Sequence, residues 1–213
     1  AATILACHPP IPGDLLTLLA GSPAATLILA AMLLASLAGL YAMPALIERS
    51  LFRPHWLVPR REYATLVTSG FMHADLQHLP FFAFAFQLEP AMSTPRFVAL
   101  YAAGLLASDA LTYVRHRDNP GYQSLGASGA ISAVLFASIV DSATTAIYTF
   151  PIPFPIPAPL FAVAYLVYCQ WAARQAQGRI NHDAHFGGAV AGLVFVALTD
   201  APAWARAWSS VFG

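Results

Sequence analysis

Of the 213 residues, 58% are hydrophobic and only 9% charged, and mean hydropathy is +0.63, against about 25% charged residues in an ordinary soluble domain. That balance describes a chain built for a lipid bilayer. Net charge is zero and the ten basic residues, all arginine, are scattered, which argues against nucleic acid as a partner; Cys7 and Cys169 lie far apart with no CxxC spacing, so neither a redox pair nor a metal site follows from them.

The first charge is Asp14 and the next is Glu48, an interval long enough for a spanning helix of about 20 residues. No basic residue precedes Arg49, so this apolar region lacks the positive flank of a cleavable leader and is read as part of the fold. Six spans are predicted, near 23–45, 76–92, 97–114, 128–145, 160–173 and 184–198. The polar stretch 48–72 mixes Arg49, Arg53, Arg60 and Arg61 with Leu51, Phe52, Trp56, Leu57 and Val58, a composition that settles in the membrane interface. Arg115 to Gly121 reads as a turn from its Asn-Pro-Gly sequence. Residues 150–159 carry proline at every second position, which forbids a helix and predicts an extended connector. The fifth span is short for a crossing and closes at Arg174. With no internal repeat, the expectation is one all-α domain over 1–213, a six-helix polytopic membrane bundle.

In such a bundle the second, fourth and sixth helices enter the membrane from the same side. Their N-terminal ends carry His73 and His78, then Ser128, then His182 and His185, with about fifty residues between groups. Polar residues at one membrane depth point to function, because ionisable groups inside a span are costly. Ser128 sits in Leu125-Gly126-Ala127-Ser128-Gly129-Ala130, where small residues admit a neighbouring backbone; packing alone is the plain reading of that stretch. Serine attacks a carbonyl only when a base accepts its proton, and His185 is the candidate base. Gly188 and Gly192 lie one turn apart on the sixth span, so that face can pack against Gly129, Ala130 and Ala133 and bring Ser128 to His185 as a dyad. The oxyanion needs donors: the Ser128 backbone N–H, unpaired at a helix start, and His78 are the candidates. His73 is assigned a structural role, His182 and Asp183 are expected as solvated loop groups, and Ser132 is expected to pack.

Three segments in this order resemble the rhomboid family of intramembrane serine proteases: Tyr63 to His78, Gly126-Ala127-Ser128-Gly129, and Ala184-His185 followed by Gly188 and Gly192. The resemblance spans roughly Glu62 to Leu198. It implies Ser128 as nucleophile, His185 as general base, His78 as oxyanion donor, no cofactor and no metal, and a substrate that is a transmembrane segment of another protein in the bilayer. It also implies that the fifth helix and the loop after it, about 160–181, gate lateral entry.

Three positions depart from the family pattern. Phe82 stands where an asparagine usually follows the oxyanion histidine, which removes one donor. Thr65 stands where an arginine is common in the first loop, and is expected to loosen it. Ser132 stands where an aromatic one turn beyond the serine often stacks on the catalytic histidine, so stacking on His185 is expected to be absent. Eight arginines fall on the active-site face against Arg96 and Arg206 on the other, which by the positive-inside rule turns that face to the cytoplasm. The family's bacterial orientation is the reverse, and the resemblance, with an inner-membrane location, is followed here. Two rival readings remain: a rhomboid-like pseudoprotease that binds helices without cutting, favoured by Phe82, and a histidine-box metal enzyme using His73, His78, His182 and His185. Substrate identity and oligomeric state are not legible.

Overall fold

A computed structural model describes residues 4–7, 15–72, 82–149, 152–175 and 180–213. The chain opens with strand β1 (Ile4–Cys7), then α1 (Leu15–Gly21) and α2 (Pro23–Leu37), followed by α3 (Pro44–Ser50) and the single turn α4 (Thr65–Thr68). Next come α5 (Phe82–Met92), α6 (Thr94–His116) and α7 (Ser128–Asp141). Strands β2 (Ala146–Thr149) and β3 (Ile152–Pro157) lead to α8 (Ala158–Gln175), α9 (His182–Thr199) and α10 (Ala201–Phe212).

The first predicted span does not run as one α-helix to residue 45. After Leu37 the helix loosens into a π-turn, Ala38–Ala42, closed by Met43 N–H donating to Ala38 O at 2.7 Å. Pro44 is the cause: it has no N–H to continue the ladder, so the chain widens by one residue and restarts as α3. At the other end, Pro23 occupies the first helical position, and the free N–H groups behind it find an acceptor on another helix. Glu89 of α5, only 1% exposed, accepts from Ala24 N at 3.0 Å and Ala25 N at 2.7 Å, and from Thr94 Oγ1 at 2.7 Å. A carboxyl group on a helix N-terminus satisfies its orphan donors and complements its dipole. Glu89→Ala is therefore expected to cost about 3 kcal/mol by stranding buried donors, read as a lower melting temperature in detergent. Glu89→Gln, which keeps one acceptor, should cost clearly less.

Two features of the architecture bear on the expected all-α six-helix bundle. Among the described residues, two helices are long and apolar enough to cross a membrane, Pro23–Ala42 and Thr94–His116, or three if α9 and α10, bent by 107°, form one broken span. The six full crossings expected from the sequence are not met by length: α7 has 14 residues, roughly 21 Å of helix against about 30 Å of hydrocarbon. Its surroundings explain this. Eleven residues of α7, from Gly129 to Val140, are buried, so it packs against protein helices and needs no lipid-matched length. The second is an addition to the helical bundle, since β1, β2 and β3 form a small antiparallel sheet in that order. The proline run is indeed extended, but it is also paired. β3 is an edge strand of this sheet, and its alternate prolines put their missing donors along one side, which an edge strand tolerates.

The interfacial stretch is tied down rather than floating. Phe52, fully buried, exchanges two backbone hydrogen bonds with Ser124 at 2.9 and 3.0 Å. Trp56 Nε1 donates to Pro120 O at 3.1 Å, and Arg60 lies over the Trp56 ring at 4.0 Å. Arg53 pairs with Glu48 and lies 3.8 Å from Glu62. The loosening expected at Thr65 is not seen: its hydroxyl donates to Glu62 O at 2.6 Å and the residue is 4% exposed. This loop braces the segment that leads into α7.

Candidate active site

α7 begins with a sharp turn. Gly126 has φ +136°, a conformation that a side chain would strain, and its N–H donates to Ser69 O at 3.0 Å. The turn delivers Ser128, half-buried, as the first residue of α7. At that position the backbone N–H has no acceptor within its own helix.

His185 arrives from α9, buried in its first turn. Asn181 caps that helix: its Oδ1 accepts from Ala184 N at 3.0 Å, while its Nδ2 donates to Thr112 Oγ1 of α6 at 3.1 Å. The approach of α7 to α9 is set by glycine. A Cβ on Gly188 would overlap the carbonyl oxygen of Gly129, and one on Gly129 would lie 3.0 Å from Ala184 O. Backbone therefore meets backbone between Gly129 and Ala184–Gly188, which brings their neighbours Ser128 and His185 to one level of the interface. Gly188 thus packs on Gly129 and Gly192 on the Ala133 backbone; His73 and His78 lie outside the described residues. Phe82 is the first residue of α5.

Two expectations about neighbouring groups are overturned. Asp183 is not a solvated loop group: it is 4% exposed, ion-paired with Arg115 and bonded to His116 Nε2 at 2.7 Å. His116 stacks on Tyr122, with centroids 3.7 Å apart and planes at 6°. Burial first, and then the Asp183 charge, push the Tyr122 phenol well above its usual range. Asp183 was misread because an acid in a helix's first turn looks solvated until partners 67 and 68 residues away are known. His182 likewise is half-buried, with Nδ1 shut off from solvent and lacking a hydrogen-bond partner.

Stacking on His185 is also present, from a helix the sequence did not implicate. The Tyr165 ring of α8 lies 6.3 Å from that of His185 with planes 15° apart, within the range of an offset aromatic contact. Tyr165 Oη lies 3.2 Å from Ser132 Oγ, which donates to Ser128 O at 2.8 Å. Ser132 thus ties Tyr165 to the start of α7. Tyr165, Tyr168 and Cys169 were missed, although Tyr165 and Cys169, one turn apart on α8, are the polar-tipped residues that face could turn inward.

The model of the rhomboid domain matches residues 60–201, a segment that contains every one of these elements from α4 to α9. No curated protein matches the chain. With well over half of its length covered by that match, this helical membrane protein belongs to the rhomboid family.

Proposed function

We propose that the chain is an intramembrane serine endopeptidase that cleaves transmembrane segments of other proteins through a Ser128–His185 dyad. The observation that carries this reading is the backbone contact of Gly129 with Ala184 and Gly188, which has no packing need for a hydroxyl and an imidazole beside it. Ser128 Oγ attacks the scissile carbonyl while His185 takes its proton, and His185 then returns that proton to the leaving amine. The Ser128 N–H and His78 donate to the oxyanion. Because α7 is shorter than the hydrocarbon layer, a nucleophile at its first residue lies below the bilayer surface, where a substrate helix is reached from the side. In this reading 1–213 is one membrane domain with six membrane-embedded segments, α7 and α8 among them, in a bacterial inner membrane. The arginine excess on the active-site face is weak evidence for a cytoplasmic orientation, since Arg53, Arg60 and Arg115 are held by Glu48, Trp56 and Asp183.

Phe82 favours a second reading, a rhomboid-like pseudoprotease that holds helices without cutting them. A fluorophosphonate probe separates the two: wild type is expected to label and Ser128→Ala not to, and absence of label in both would sink the hydrolase. Phe82→Asn restores a donor at the position where the family usually has one. It is expected to raise cleavage of a transmembrane substrate by up to about 10²-fold, with little change in substrate binding.

A further inference from the structure

α8 lays Tyr165, Tyr168 and Cys169 over the first turn of α9. Cys169 Sγ and one ring nitrogen from each of His182 and His185 lie within 4.8 Å of one another, with Cys169 and His185 buried and His182 half-buried. His182 and His185 are three residues apart on one helix face, and Tyr168 closes the cluster edge-on against His182 with centroids at 5.4 Å. A buried ring nitrogen with no partner, as at His182 Nδ1, is costly to desolvate. A protein retains such a ring more readily when it has a ligand to hold.

One thiol and two imidazoles are the donor set of a zinc ion, with a fourth position left to water. Zn–S and Zn–N bonds of about 2.3 and 2.0–2.1 Å put tetrahedral donors roughly 3.5 Å apart. The three atoms therefore need to close by about 1 Å, which rotation about their own side-chain bonds supplies. We propose that Cys169, His182 and His185 form an inhibitory site for a soft divalent cation of the Zn²⁺ type. On binding, the Cys169 thiol releases its proton to solvent and each imidazole gives its lone pair to the metal. A neutral imidazole has one such pair, so a ligated His185 accepts no proton from Ser128. The same ion cross-links α8 to α9 and fixes α8 over the site. Metal binding stands on the geometry alone; the inhibition rests on the proposed role of His185.

The test uses the full chain in detergent micelles with Co²⁺ as a spectroscopic stand-in. Wild type and Cys7→Ser are expected to bind one equivalent with thiolate-to-cobalt charge-transfer bands, which Zn²⁺ displaces. Cys169→Ser should lose those bands, and His182→Ala should weaken binding at least tenfold. In parallel, Zn²⁺ should lower fluorophosphonate labelling of Ser128 at least tenfold in wild type, reversibly with EDTA, and leave the labelling of Cys169→Ser the same with and without metal. Bands that are absent, or that persist in Cys169→Ser, overturn the site. Labelling that survives saturating Zn²⁺ overturns the inhibition. A chain that never labels at Ser128 defeats the hydrolase reading, and the cobalt spectra still decide the site.

Discussion

Ser128→Ala and His185→Ala are each expected to lower cleavage of a transmembrane substrate by at least about 10⁴-fold, and the double change to be no worse than either alone. The non-additivity follows from the chemistry, since a serine with no base and a base with no serine are equally idle. What survives is the contribution of binding and the oxyanion donors, which by itself is small. A triad would predict a third equally damaging position, and the acid on the same helix turn is Asp183. Its oxygens, however, are engaged by Arg115 and His116, so Asp183 fixes the α6–α9 corner. Initial rates for the three variants in liposomes, with melting temperatures alongside, check the expectation. Full activity in Ser128→Ala would overturn the mechanism.

Much of this arrangement could be read from the chain because small residues leave few options. Gly129, Gly188 and Gly192 fix where α7 and α9 touch and at what level, and the proposed pairing of Ser128 with His185 rests on that register. What was hidden depends on partners remote in sequence. Glu89 reads as a stray acid near a span end, and only the start of α2, 64 and 65 residues away, explains it. Tyr165 escaped notice because the aromatic was sought one turn beyond Ser128 on the same helix, whereas α8 supplies it through Ser132. Span counting is a coarser guide for a different reason: hydropathy measures apolarity, and a helix buried in protein, like α7, is as apolar as one in lipid and free to be shorter.

Gly188→Ala is expected to cut fluorophosphonate labelling and cleavage by at least about 10²-fold while the protein still folds. The new Cβ would overlap the carbonyl oxygen of Gly129, a backbone atom with no rotamer to move aside, so α9 must shift away from α7 as a body. Overpacking of that kind costs about 1–3 kcal/mol, whereas a displacement of about 1 Å between reacting groups costs about 10² in rate. Gly192→Ala is the control, because its Cβ would overlap Ala133 O one turn further from the site. It should lower the melting temperature by a similar amount and reduce labelling much less, since the displacement is centred away from Ser128 and His185. If the two substitutions reduced labelling equally at equal stability, the Gly129–Gly188 contact would be ordinary packing, and the alignment of the dyad would have to come from elsewhere.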